Sequence, residues 1–339
     1  MMKLKFTPNY KTFYNVPRLY SYQDVYLYLL TGGRGIGKTT GVMIQSVQNY
    51  NRNEEEFVYV RRYSKEIQRS KGLLDKITTG VTTKGLGDGA FEYIHNKKRV
   101  GFAIALTVQQ SVKSGVDFSK VTTIIFDEAI LKRGSYHYLP DEVETFFELI
   151  STIVRERTNY KIFVIGNNAD MFNPYMAYFK IPKFDKSYKD RTRGIYAEMC
   201  PTKAELLEIE KETPLYKITQ GTNYHDYHYD NKVLTNATGK IGVKNSNAVL
   251  VFRLVYNNVT LNVYEHNVYD MFVEIREKII KDPSNTFILM EDNKPNYLYI
   301  EMFRKSMLVK YFQQCYYNKR VWCNNERAIS VLDIIMKDF

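Results

Sequence analysis

Gly32-Gly33-Arg34-Gly35-Ile36-Gly37-Lys38-Thr39 fills every position of the G-x-x-x-x-G-K-[ST] phosphate cradle, and it follows directly on the apolar run Val25-Tyr26-Leu27-Tyr28-Leu29-Leu30. Glycines let the backbone curl until its N–H groups face the phosphates of a nucleoside triphosphate, and a helix starting near Lys38 adds a positive N-terminal dipole. Lys38 supplies a mobile point charge, and Thr39, with Thr40 beside it in the nucleotide-binding set, offers a hydroxyl to Mg²⁺. An ordinary turn before a helix is the competing reading. Eight matched positions between a strand and Gly41-Val42-Met43-Ile44 argue against it.

A second pattern, Thr122-Thr123-Ile124-Ile125-Phe126-Asp127-Glu128, reads as a buried parallel strand ending in two carboxylates. Ligands of open α/β sheets sit at the carboxyl ends of the strands, so Asp127 is expected to face the same crevice as Lys38 and Thr39 and to hold Mg²⁺ with Thr39. Glu128, next to that metal ligand, is placed to orient and deprotonate a water for attack on the γ-phosphate. This favours ATP hydrolysis over phosphoryl transfer to a metabolite. A surface Asp-Glu pair closing a strand is the bland alternative.

Further candidates flank these two patterns. Arg155 and Arg157, after a helical stretch, stand where a ring ATPase presents an arginine finger to its neighbour, although cations also suit a helix C-terminus for its dipole alone. Asn167, at the end of the strand Lys161-Ile162-Phe163-Val164-Ile165-Gly166, suits a γ-phosphate sensor, with Asn168 a close competitor. The segment Leu131–Tyr138 follows Glu128 and is basic, glycine-containing and aromatic. Its Lys132 and Arg133 are candidates for gripping DNA phosphates, and a solvated surface loop is the alternative. The stretch Tyr20-Ser21-Tyr22-Gln23 is the candidate adenine pocket.

Positioning these side chains takes strands alternating with helices. Strand patterns at Glu56–Tyr63, Lys98–Leu106 and Val121–Phe126, and helical spacing over Asp141–Val154, predict a doubly wound, mostly parallel sheet of the P-loop (ASCE) type over residues 1–200. Residues 201–240 read as a linker subdomain. Residues 241–339 read as an α+β domain opened by a hairpin, Val249–Tyr256 and Val259–Tyr264 around Asn257-Asn258. His225-x-x-His228 lies in a polar stretch and reads as a pair of solvated histidines.

Lysine and arginine number 48 against 37 acidic residues, a formal charge of +11 that points to a polyanionic partner. No apolar stretch approaches the roughly 20 residues that span a bilayer, so no membrane partner is expected. The opening Met1–Phe6 lacks a signal core, and three scattered cysteines, Cys200, Cys315 and Cys323, fit a reducing compartment.

Together these segments resemble the DNA-packaging motor ATPases of small phi29-like tailed phages. The likeness runs through Arg34 to Lys38, Phe57-Val58-Tyr59-Val60-Arg61-Arg62-Tyr63, Ile125-Phe126-Asp127-Glu128, Asn173-Pro174-Tyr175 and Leu254-Val255-Tyr256-Asn257. It implies a homopentameric ring at the portal of an empty procapsid, driving double-stranded DNA inward on ATP and Mg²⁺ with a packaging RNA as a further partner. The protein would then work in the host cytoplasm, transiently at the portal vertex, and be absent from the mature virion. By the same likeness Arg155 is the trans-acting finger, Asn167 the sensor, and Lys132 and Arg133 lie in the pore loop. Ser64 then Lys65 stand where the family can carry a second trans-acting lysine, so Lys65 takes that role only by proximity.

The resemblance also implies a degenerate, RNase H-like nuclease fold for the C-terminal domain. Its first core strand, Val249–Tyr256, has no aspartate and carries Arg253, which would repel metals, so no nuclease activity is expected. Lys305, Lys310, Lys319 and Arg320 suit docking on the portal or on nucleic acid. Two other functions fit the same motifs, a P-loop helicase and a non-hydrolysing ATP-binding scaffold for nucleic acid.

Overall fold

The computed structural model describes residues 1–338 except 88, 113–114, 132–137, 140, 168–172, 183, 230–239, 257–258, 268–269, 277–284 and 290–297. The chain divides into two compact units, Met1–Met171 with Lys183–Leu234, and Phe172–Pro182 with Thr235–Phe339. The helices are α1 (Pro17–Tyr20), α2 (Lys38–Asn53), α3 (Ser64–Arg69), α4 (Gln109–Val112), α5 (Glu142–Val154), α6 (Pro174–Tyr178), α7 (Ala204–Lys211), α8 (Pro214–Thr219), α9 (Asn223–His228), α10 (Ile300–Lys305), α11 (Met307–Tyr317) and α12 (Glu326–Asp338).

The apolar runs of the first unit become a sheet of β1 (Leu27–Gly32), β2 (Glu56–Arg61), β3 (Val81–Gly85), β4 (Ala90–His95), β5 (Lys98–Ala105), β6 (Val121–Ile130), β7 (Lys161–Gly166), β8 (Ser187–Asp190) and β9 (Ile195–Cys200). Their order is β3-β4-β5-β2-β6-β7-β1-β9-β8. The centre is parallel, β1 pairing with β7 and β9, and β2 and β7 flanking β6. Antiparallel pairs close both edges. Central strands are buried on both faces and therefore need apolar side chains throughout, as in Ile124, Ile125 and Phe126 of β6. Helix α2 is buried all round from Gly41 to Val47, whereas α5 buries Val143, Phe146, Leu149, Ile150 and Ile153 on one apolar face.

Strand β6 does not stop at its carboxylates. It runs on to Ile130, and its register on β7 jumps from Phe126↔Val164 to Ile130↔Gly166, so four steps on β6 face two on β7. Glu128 inside this bulge has φ +53°, the left-handed region. Strand propensity carries no signal for such a kink at a non-glycine residue.

The polar stretch after Cys200 forms three short helices, α8 and α9 being capped by the hydroxyls of Thr213 and Thr222. His225 is buried there against Tyr216 and Tyr229, and the His228 ring meets Tyr229 and stacks on Tyr224. The expected solvated histidines are instead packed side chains. Residues 172–182, inside the segment read as 1–200, belong to the second unit, where α6 packs on α12.

The second unit is built on a sheet ordered β10-β16-β13-β12-β11-β14-β15. Its strands are β10 (Lys240–Ile241), β11 (Val249–Tyr256), β12 (Val259–Asn267), β13 (Asp270–Arg276), β14 (Thr286–Ile288), β15 (Leu298–Tyr299) and β16 (Val321–Cys323). An antiparallel meander, β11 to β13, is extended by β14 and β15 in parallel. Phe252, Leu261 and Val273 of the sheet share a core with Phe312 of α11 and Leu332 and Ile335 of α12. All three cysteines are buried thiols.

Strand β1 enters the phosphate loop at Gly32, which pairs with Cys200 of β9, and a Cβ at Gly32 would stand 2.7 Å from the Cys200 carbonyl oxygen. Backbone cannot yield there as a side-chain tip can. Gly32→Ala is expected to destabilise the first unit by about 1–3 kcal/mol. Thermal unfolding checks this, and an unchanged melting temperature would contradict the packing described.

Candidate functional site

The phosphate loop leaves β1 at Gly32 and enters α2 at Lys38. Gly35 at φ +78° and Gly37 at φ +92° occupy left-handed conformations that ordinary side chains resist. Gly37 caps α2 with no side-chain acceptor, so the first N–H groups of a sixteen-residue helix lack a cap and suit an anion. Lys38 is 6% exposed, and its Nζ donates to the carbonyls of Gly32 at 2.9 Å and Gly33 at 2.7 Å. Burial pulls its pKa down to about 8, against the opposing influence of Cys200 and Asp127. A buried ammonium held mainly by its own loop's carbonyls lacks a full counter-charge, and a phosphate would provide one.

Asp127 meets the loop from β6. Thr39 Oγ1 donates to its Oδ1 at 2.6 Å, Tyr59 Oη donates to its Oδ2 at 2.9 Å, and Arg61 Nη1 lies 3.5 Å from Oδ2. Burial first, then the Asp127 charge, pushes the Tyr59 phenol up, keeping it a donor. The hydroxyl and carboxylate in contact are an all-oxygen pair of the kind that Mg²⁺ takes, so these residues fit that ion. Arg61 also pairs with Glu66 and Glu128, and its buried Nε has no acceptor among the described residues. The Glu128 carboxylate is half exposed, reachable by water yet tied to Arg61.

Arg34, Gly35, Ile36, Gly37, Lys38, Thr39, Thr40, Asp127, Glu128, Ile165, Gly166 and Asn167 line one cavity of about 330 Å³. Gly32 and Gly33 lie behind it, acting through their carbonyls on Lys38. Arg155 is not brought there. Its neighbour Arg157 is tied to the carbonyls of Ser119 and Val121 at the amino end of β6, about 20 Å of strand from Asp127. Arg157 donates further to Phe118 and Ile153, so it is an anchor. Arg155 is exposed at φ +48°, and its guanidinium has no hydrogen-bond or ion-pair partner among the described residues. Lys65 is exposed on α3. Lys132, Arg133 and Asn168 lie outside the described residues.

Tyr20 and Tyr22 do not line this cavity. Tyr20 packs on Phe163 and Tyr22 on Tyr196. The segment laid on the loop is earlier: Tyr14 N donates to Ile36 O at 2.9 Å, and Phe13 Cβ sits 3.3 Å from where a Gly37 Cβ would be. Sequence reasoning also missed the roles of Tyr59, Arg61 and Arg62. The available signal was two consecutive arginines at the carboxyl end of a buried strand, which cannot both reach solvent.

The sequence matches the family described as Podovirus DNA encapsidation protein (Gp16) over residues 9–337. It is 27% identical over 288 residues to the DNA packaging protein of Bacillus phage PZA, covering 83% of each chain. In fold it is similar to the Phi-28 gp11 DNA packaging motor, with a TM-score of 0.69 and 16% identity over 96% of this chain and 97% of that one. It is also similar to the bacteriophage Phi-29 viral genome packaging motor assembly, with a TM-score of 0.66 and 23% identity over 97% of this chain and 100% of that one.

Asp127→Ala removes the carboxylate of the Thr39–Asp127 pair. Magnesium is expected to tighten binding of a non-hydrolysable ATP analogue to the parent chain by about tenfold or more, roughly 1.4 kcal/mol, and to leave the variant's affinity unchanged. Calorimetric titration with and without the ion reads this, and full magnesium dependence in the variant would contradict the assignment.

Proposed function

The chain belongs to the Podovirus DNA encapsidation protein (Gp16) family, whose role is packaging the viral genome, and we propose that this member drives packaging by hydrolysing ATP with Mg²⁺ to translocate double-stranded DNA. The observation that carries this reading is the single cavity shared by Lys38, Thr39, Asp127, Glu128 and Asn167. Arg34 to Thr40 wrap the phosphates, with Gly32 and Gly33 behind them, and Lys38 donates to the phosphates. The Thr39 hydroxyl and Asp127 carboxylate would hold Mg²⁺, which when bound neutralises charge on the β- and γ-phosphate oxygens. Glu128 takes a proton from the attacking water, and Asn167 hydrogen-bonds the γ-phosphate or that water.

Arg155 lies toward the amino ends of the strands, away from its own chain's phosphate loop at their carboxyl ends, which supports action on a neighbouring copy in a ring, a pentamer by family likeness. Lys132 and Arg133 would grip the duplex phosphates. The portal of the procapsid and a packaging RNA are the remaining partners, reached in the host cytoplasm before the virion matures. No helix among the described residues is long and apolar enough to cross a membrane. In the second unit, the order β13-β12-β11-β14-β15 supports an RNase H-like reading of residues 241–339. Strand β11 carries no carboxylate and has Arg253 within it, which supports the absence of nuclease activity.

Glu128→Gln keeps the shape and removes the base. Analogue binding is expected to persist while ATP turnover falls by about 10²- to 10⁴-fold; unaffected turnover would exclude Glu128 as the base. Mixing Arg155→Ala subunits with Glu128→Gln subunits tests the finger. An intact site beside an intact finger is then restored in mixed rings, so phosphate release should recover, and a mixture as inactive as its components would exclude action in trans.

A further inference from the structure

We infer that Arg62, through its pair with Glu142, is a positioning residue that sets the backbone of Glu128 for hydrolysis. This rests on the hydrolytic reading of the site. Arg62 and Glu142 are side chains 2% and 1% exposed, joined by two hydrogen bonds, Nε to Oε2 at 2.5 Å and Nη2 to Oε1 at 2.7 Å. The same guanidinium donates to the Glu128 carbonyl at 3.3 Å and the Ala129 carbonyl at 2.8 Å. It thus holds the two carbonyls that follow the left-handed kink of the proposed base. A planar five-donor fork can serve a carboxylate and two carbonyls together, whereas a lysine cannot.

The other side of the pair faces the segment that follows. Glu142 Oε2 accepts from Leu139 N at 3.0 Å, and the Arg62 guanidinium lies over the rings of Phe126 and Tyr138, 5.6 and 5.2 Å from their centroids. Tyr138 Oη accepts from Leu131 N at 3.0 Å, closing the two ends of the segment on each other. Arg62 is thus packed from both sides and cannot shift without moving the Glu128 carbonyl. Replacing a buried ion pair by apolar side chains of similar size often preserves a fold. Apolar side chains here would still donate nothing to Glu128 and Ala129.

The test uses the full chain assembled on procapsids, with and without duplex DNA. The double variant Arg62→Met with Glu142→Leu is expected to melt near the parent temperature and keep its KM for ATP, while kcat falls about 10²-fold, the effect of misplacing a catalytic group by about 1 Å. Arg62→Lys keeps the charge beside Glu142 but cannot serve a carboxylate and two carbonyls together, and is expected to lower kcat about tenfold with KM for ATP kept, whether or not the double variant folds. A folded double variant with parental kcat, or an Arg62→Lys variant with parental kcat, overturns the inference alone. A parent chain without turnover overturns the hydrolytic reading and this inference with it.

Discussion

Side chains of neighbouring residues on a regular strand point to opposite faces, so Asp127 and Glu128 line one cavity only because β6 is broken between its apolar core and Ile130. A left-handed conformation at a non-glycine residue costs about 1–3 kcal/mol and survives where the surroundings over-determine it. Here the surroundings are two arginines, the last residue of the adjacent strand β2 and the one that follows it. Arg61 holds the Glu128 carboxylate, and Arg62 holds the backbone that carries it. The register jump against β7 lets the strand resume at Ile130, where Gly166 leaves room, a Cβ there standing 2.6 Å from that of Ile130.

Electrostatic frustration in the same place gives the cavity its use. Lys38 is buried deeply enough to be pulled down to about 8, so below that value its charge opposes folding in full, and the opposition fades as pH rises toward the ordinary lysine range. An anion beside Nζ reverses the balance. Arg61 is shared among Glu66, Asp127 and Glu128, and a metal or phosphate entering the site competes directly for those contacts. Anything that takes the Arg61 contacts would thereby act directly on the position of the Glu128 carboxylate.

The parts of this arrangement that were legible in the sequence are those fixed by local pattern. Eight residues spell the phosphate loop, and uninterrupted apolar runs mark β1, β6 and β7, because strands buried on both faces tolerate little else. The αL kink at Glu128 left no trace, since nothing local separates a strand that ends from one that bulges. The Arg62–Glu142 pair joins residues eighty positions apart. Tyr59 looked like one more strand tyrosine until Asp127 stood across from it. At Tyr20–Gln23, aromatic composition cannot distinguish a ring packed on Phe163 from one offered to a base. The excursion of 172–182 into the second unit escaped notice because its neighbours in sequence all belong to the first.

Phosphate release from ATP by the full chain on procapsids, followed with and without magnesium and duplex DNA, tests the central claim most directly. The account predicts release that requires the ion and rises when duplex is engaged. ATP left intact under all of those conditions would contradict it.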